Sequence, residues 1–348
     1  MNTRALLLAL LSALLFGMAT PASKVLLGTL TPFQLAGCLY LGAALAVSPF
    51  AWGRGRSALP ADRRNRWRLL GAVLAGGVVG PVLMLLGLQA AQAASVSLWL
   101  NAEMAATAVL GVLVFREHLS RLGVAGVGAA LLGSLLLSFT DKTAGAWAGA
   151  LTVAACAFWG LDNHLTALID GISASQSTFW KGTVAGATSL LIGLSLAPLT
   201  ADWRTLLAAV FIGMWAYGAS IVLYISAAQT LGATRAQIAF ATAPFFGVVL
   251  AVVGLGEPLS GWHLVAGLLF LVALTLFTIE NHAHRHTHAA LDHAHGHRHD
   301  DGHHTHTHPG LPASTWHFHP HHHDPLTHAH PHWPDLHHRH AHEPRARG

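Results

Sequence analysis

Apolar runs of roughly 18 to 24 residues, each long enough to cross the hydrocarbon core of a bilayer, recur ten times along this chain. Lipid offers the backbone no water to bond to, so such a run crosses as a helix that pairs its own amides. The runs lie near residues 4–27, 32–52, 69–88, 94–115, 120–139, 146–167, 175–197, 204–228, 234–254 and 260–279. Short polar or Gly/Pro-containing joints separate them, among them Gly28–Thr31, Thr140–Gly145, Pro198–Trp203 and Gly256–Gly261. Charge fits the same pattern: Asp, Glu, Lys and Arg make up only 10% of 348 residues, too few to coat a water-facing globule. Met1–Phe16 has the basic start and apolar run of a secretory signal. That run continues to about Leu27 and has a counterpart inside the chain, so it is taken as the first span. The expected fold is an all-α integral membrane protein of ten transmembrane helices.

The chain also matches itself. One constant shift lays Gln89 on Gln229, Ala93 on Ala233, Glu117 on Glu257, Leu119 on Leu259 and Ser120 on Ser260, without a gap. A slightly longer shift lays Phe16-Gly17 on Trp159-Gly160 and Gln34 on Gln176. One order at nearly one offset points to a duplicated unit of five spans, with copies at 1–141 and 142–280 and a tail at 281–348. Because five is odd, the second copy is predicted to enter the membrane upside down. Inverted repeats are a recurrent transporter plan, with the substrate site near the midplane between the copies. Orientation follows from arginine. Arg54, Arg56, Arg63, Arg64, Arg66 and Arg68 fall in the joint after the second span, and Arg116 and Arg121 in the joint after the fourth. Positive joints stay inside, which predicts a multi-pass plasma (inner) membrane protein with both termini cytoplasmic.

An ordered set of short motifs then carries a resemblance. It comprises Phe16-Gly17 and Trp159-Gly160, Lys24 following Pro21, and Thr31-Pro32 opening the second span. Glu117 and Gly256-Glu257-Pro258-Leu259-Ser260 follow the fourth span of each copy. This set resembles the EamA family of the drug/metabolite transporter superfamily, over about residues 4–280. The resemblance implies a carrier that moves small solutes by alternating access, without choosing the cargo. Two positions depart from the family pattern. A Pro in the middle of the fourth span is kept at Pro244, but its counterpart in the first copy is Met104, preceded by Glu103. A basic residue early in the second span fits Lys181, while its counterpart is Leu39.

Ionised side chains inside a bilayer cost roughly 2.5–3.5 kcal/mol each on insertion scales, so those that occur are candidates for a pathway. Glu103 lies about nine residues into its span, ~13 Å deep at 1.5 Å per residue, where it could carry a proton or contact a cation. Trp99, one turn earlier on the same expected helix face, could wall that site. Lys181 either snorkels to the interface, pairs with Asp162 or Glu103, or neutralises an anionic substrate. Asp162, Asn163 and His164 come near a cytoplasmic helix end, as an inner mouth or as ordinary solvated residues. Tyr217, with Trp215 and Tyr224, either lines a cavity or packs. Glu257, before Pro258, is expected to build a turn or cap the next helix. Cys38 and Cys156 lie in apolar segments and are expected to be buried packing residues.

Apart from His118, His164 and His263, all 27 histidines lie in the tail. They recur as His-x-His at His282, His284, His286 and His288, at His293, His295, His297 and His299, and at His304, His306 and His308. Imidazoles without thiols favour Ni, Zn, Co or Cu(II), so the tail is expected to bind divalent transition metal and to be disordered without it. Binding needs neutral imidazole, so occupancy is expected to fall below about pH 6.5. No phosphate-binding Gly-rich loop, H-E-x-x-H or G-x-S-x-G motif occurs, which speaks against ATP drive and against an enzyme with a required cofactor. The basic pI of ≈ 9.5 comes from a few arginines beside spans, and does not suggest a nucleic-acid surface. Expected partners are therefore a small-molecule or ion substrate and membrane lipid, with room for a homodimer. The combined expectation is a secondary transporter of the EamA type, exporting a small solute or metabolite, with a metal-binding tail. The alternatives are an exporter of Ni, Co or Zn fed by the tail, and a membrane-anchored metal buffer or sensor.

Overall fold

The computed structural model describes residues 3–52, 59–115, 119–140, 145–169, 171–231, 239–279, 282–288, 291–297, 312, 317–323 and 326–332. Arg54, Arg56, Arg116, Glu117, His118, His299, His304, His306 and His308 lie outside the described residues. The body is helical: α1 Thr3–Gly17, α2 Ala19–Leu26, α3 Pro32–Ala51, α4 Arg63–Ala72, α5 Gly80–Ala90, α6 Ala93–Trp99 and α7 Ala102–Leu113. There follow α8 Arg121–Thr140, α9 Gly145–Ala167, α10 Ala174–Leu196, α11 Trp203–Ile212, α12 Ser220–Leu231, α13 Ala243–Leu255 and α14 Gly261–Ile279.

Among the described residues, six helical stretches are long and apolar enough to span a membrane: Ala5–Leu26, Pro32–Ala51, Arg63–Ala90, Ala93–Leu113, Arg121–Ser138 and Trp203–Ala227. Shorter apolar helices cover Ala243–Leu255 and Gly261–Leu276. Their outer faces leave Leu7, Val25, Leu191, Val253 and Leu264 more than half exposed, a coat suited to lipid and not to water. The protein is a multi-pass helical membrane protein.

Local chemistry repeats along with the sequence. Thr31 caps α3 through a reciprocal capping box with Gln34, and Ser173 caps α10 in the same way with Gln176. Asp62 accepts from Asn65 N–H at the start of α4, and Asp202 from Thr205 N–H at the start of α11. These amide bonds favour the ionised carboxyl and hold both aspartates below the usual carboxylate range. Between α4 and α5 the chain winds as a π-helix over Val73–Val79, and at the matching place in the second copy, between α11 and α12, it does so again over Gly213–Ala219. Arg63, Arg64, Arg66 and Arg68, placed in a loop by hydropathy, instead form the first turns of α4. The Asp62 cap starts that helix before the apolar run begins.

The two copies interlock through their Phe-Gly and Trp-Gly pairs. A Cβ on Gly17 would sit 2.5 Å from Ala243 O, so α1 can approach α13 closely only without a side chain there. A Cβ on Gly160 would sit 3.0 Å from Thr107 N, which seats α9 on α7 in the same manner. The first helix of each copy thus packs on the fourth span of the other.

The fourth span is not one continuous helix. It breaks at Leu100–Asn101, and the ninth turns at Ala241–Thr242. Among the described residues of the tail, four short strands pair as two ladders. His282–His288 (β1) pairs antiparallel with Leu326–His332 (β4), and Leu291–His297 (β2) with His317–His323 (β3). A His-x-His pattern has the period of a strand, and so it can follow a ladder. Two-stranded ladders of this kind are marginal by themselves in water.

Candidate functional site

The two helix breaks face each other. Together with Phe16 they line a small cavity of ≈ 20 Å³, walled by Leu100, Asn101, Glu103, Met104, Phe240, Ala241, Ala243 and Pro244. The walls are repeat mates: under the shift that superposes the copies, Leu100 falls on Phe240, Asn101 on Ala241, Glu103 on Ala243 and Met104 on Pro244. The cleft therefore sits on the axis that relates the copies. At this size it holds a water or two.

Copy one supplies both polar groups of the cleft. Glu103 Oε1 accepts from Asn163 Nδ2 of α9 at 2.8 Å, and Thr107 lies 3.5 Å from the same amide. Asn101 donates its Nδ2–H to Leu98 O at 3.0 Å, across the helix break. Among the described residues its Oδ1 has no hydrogen-bond partner, and Asn101 is 2% exposed. Around the cleft, aromatic rings from both copies form a chain. Phe16 packs on Phe240 at 5.2 Å, on Tyr217 at 5.6 Å and on its mate Trp159 at 6.5 Å. Tyr217 continues to Tyr40 at 5.3 Å, and Phe240 to Tyr224 at 5.0 Å.

One residue from Asn163, Asp162 meets Lys181. Nζ donates to both carboxylate oxygens at 2.6 and 2.7 Å, and Thr166 Oγ1–H adds a bond at 2.9 Å. The pair is almost enclosed, with side chains 11% exposed. The first π-helix makes room for it. Gly76 faces Asp162 so closely that a Cβ there would collide with the carboxylate, and a Cβ on Gly77 would press on Ala185 and Lys181. The same turn frees a carbonyl. Gly80 N–H bonds Ala75 O, and Pro81, next in line for Gly76 O, has no N–H. Gly76 O instead accepts from Tyr40 OH at 2.6 Å and Trp159 Nε1–H at 3.1 Å.

At the end where α5 meets α6, two charges clasp the joint. Lys24 Nζ donates to Leu88 O at 2.8 Å and Ala91 O at 2.6 Å. Glu257 accepts from Ala93 N–H at 2.9 Å and Ala94 N–H at 2.8 Å. Each suits the helix end it meets, a cation on the last carbonyls of α5 and an anion on the first amides of α6. Glu257 thus caps a helix of the other copy, and not the one that follows it. Only folding could reveal this, because the capped amides lie in the opposite half of the chain.

Of the expected pathway residues, Glu103 lines the cleft, while Lys181 and Asp162 join on the far side of Asn163. Tyr217 stands behind Phe16 instead of on the cavity wall. Trp99 is turned away: its Nε1–H donates to Ser134 O at 3.1 Å. The break at Leu100–Asn101 ends the helical register that would have put it beneath Glu103. His164 bonds back to Gly160 O through Nδ1 and stacks on Phe115 at 4.4 Å. Cys38 and Cys156 are buried free thiols. Asn101 escaped the sequence reading because it carries no charge, and Asn163 was read only as part of a helix end, without its bond to Glu103. Comparison of the copies could have found Asn101, whose mate is Ala241. Among the described residues no three His, Cys, Asp or Glu side chains group as a metal site.

A family model described as the EamA-like transporter family matches residues 3–139 and again 146–279. An uncharacterized transporter of Methanothermobacter thermautotrophicus is 26% identical over 286 residues, which cover 76% of this chain and 82% of that protein. One crystal structure, described only as that of a protein, superposes with a TM-score of 0.60 at 18% identity. It covers 80% of this chain and 98% of that one, a likeness of fold alone.

Proposed function

The chain belongs to the EamA-like transporter family, and is a transporter and not an enzyme; from that premise we propose that it is a secondary carrier exporting a small solute by alternating access. In this reading ten spans form two inverted five-span copies in the plasma membrane. Both termini are cytoplasmic, and the substrate site is the cleft at Glu103. The observation that carries it is the cleft's position on the axis between the copies, at paired helix breaks. Discontinuous helices at a repeat interface are where carriers of this architecture hold their cargo.

The polar side chains add support by breaking the repeat. Asn101, Glu103, Asp162 and Lys181 have as mates Ala241, Ala243, Ala19 and Leu39. The scaffold tolerates apolar residues at those places in the other copy, so the charges answer to something other than folding. Alternating access would rock one copy against the other about the cleft. The Lys24–Glu257 clasp would then hold one end shut while the other end opens.

The histidine tail is read as a cytoplasmic arm that binds Ni, Zn, Co or Cu(II). The ladder register sets His282 opposite His332, His284 opposite His330 and His286 opposite His328. Export of the metal itself is less well supported. Asp162 is neutralised by Lys181, and His164 is engaged with Gly160 O. The test is flux into proteoliposomes, comparing the full chain with one truncated after Glu280, for Ni, Co and Zn and for a panel of small metabolites. Metabolite flux unaffected by truncation supports the carrier reading. Metal flux in both forms would replace it with the metal exporter. No flux of any solute from folded protein would leave a membrane-anchored metal buffer or sensor.

A further inference from the structure

We propose that the cleft at Glu103 recognises a small organic ammonium ion. The proposal rests on the transporter reading and names the substrate class of its site. Three independent features point the same way. First, the two polar side chains among the cavity's lining residues, Asn101 and Glu103, carry acceptor oxygens. Among the described residues Asn101 Oδ1 is buried without a partner, and its orientation is fixed, since turning the amide over would break the Nδ2–H bond to Leu98 O. An acceptor left open at 2% exposure costs free energy unless a donor arrives.

Second, the charges of the described residues leave one carboxylate over. Lys181 spends its charge on Asp162, and the partner that reaches Glu103 is the neutral amide of Asn163. Among the described residues, Glu103 has no cationic neighbour within ion-pair distance. A monocation would complete it, whereas an anion would face a carboxylate and a carbonyl oxygen together.

Third, the remaining wall is aromatic and apolar. Phe16 and Phe240 lie 5.2 Å apart and tilted by 48°, with Leu100, Met104 and Pro244 beside them. Ring faces attract organic cations, and the apolar side chains suit the carbon body of an amine. The same wall fails a divalent metal, which would find one carboxylate and one amide oxygen where it needs four to eight ligands.

Protection of a cysteine in the cleft tests the proposal. In the full chain reconstituted in liposomes, Ala241→Cys is labelled with a membrane-permeant maleimide, and with a charged one added from either face. The unsubstituted chain, whose two thiols are buried, serves as the blank. Benzylammonium and butylammonium are expected to slow labelling at least tenfold. Benzyl alcohol and benzoate, nearly the same shape without the positive charge, are expected to leave it unchanged at ten times the concentration. Glu103→Gln in the same background is expected to abolish protection by both amines. Equal protection by alcohol and amine, protection by benzoate, or protection by Ni²⁺ alone would overturn the proposal. Labelling from both faces with no protection by either amine would overturn it while leaving the carrier reading intact. No labelling from either face would remove that reading, and the proposal with it. The ligand comparison does not use the Glu103 variant, so a variant that fails to fold does not spare the proposal.

Discussion

Lys181→Met isolates the worth of the buried ion pair. The substitution keeps the aliphatic stem against Gly77 and Ala185 and removes only the charge. Asp162 would then stand 11% exposed with the Thr166 hydroxyl at 2.9 Å, walled on one side by Gly76. Leaving one partner of such a pair uncompensated costs about 3–5 kcal/mol. At roughly 2 °C per kcal/mol for a chain of this length, the midpoint of thermal unfolding should fall by roughly 6–10 °C. Asp162→Asn should cost a similar amount, because it strands the ammonium. The double variant removes both charges together and should recover most of the loss, to within about 1–2 kcal/mol of the native chain. Unmasking of buried Cys38 and Cys156 to a thiol-reactive dye in detergent gives the melting curves without introduced cysteines. Single variants that melt within about 2 °C of wild type, or losses that simply add in the double variant, would refute the reasoning. A double variant that is stable yet transports nothing would assign the pair to the pathway.

Four further outcomes follow from the geometry. Glu103→Gln is expected to cut uptake at least tenfold, about 1.4 kcal/mol in the barrier, and to flatten its pH dependence; unchanged uptake and pH profile would remove Glu103 from coupling. Glu257→Ala strips the two charge-assisted bonds from Ala93 and Ala94 and should cost about 2–3 kcal/mol, with Glu257→Gln partly restoring it, as read by thermal unfolding. Asp62→Ala removes the cap of α4 and should cost about 1 kcal/mol near neutrality. Because the Asp62 carboxyl titrates below 3.8 when folded, its contribution is present above that value and lost as pH falls beneath it; the variant and wild type should converge there. Truncation after Glu280 should abolish tight Ni²⁺ binding in equilibrium dialysis, and equal binding by the truncated chain would place the metal in the body.

Much of the architecture is one-dimensional information. Apolar length answers to bilayer thickness, and Gln34, Gln176, Glu257 and the Phe-Gly and Trp-Gly pairs mark the duplication by offset alone. Caps such as Thr31 and Asp62 act on amides of the very next turn, so they too can be found along the chain. The shape of the candidate site was harder to foresee. Trp99 and Glu103 looked like neighbours because an unbroken helix brings i and i+4 together, and the break between them removed that premise.

By itself the sequence determined a helical membrane protein, its duplication, the family it resembles and the few charges that matter, because hydropathy, offset and local capping need no knowledge of neighbours. Only the tertiary structure decided that Lys181 meets Asp162, that Asn163 meets Glu103, that Glu257 caps α6 and that Asn101 is left open. The reason is rotational. Each residue turns a helix by about 100°, so a small error in register carries a side chain to the opposite face, and partners across helices are fixed only once the helices pack.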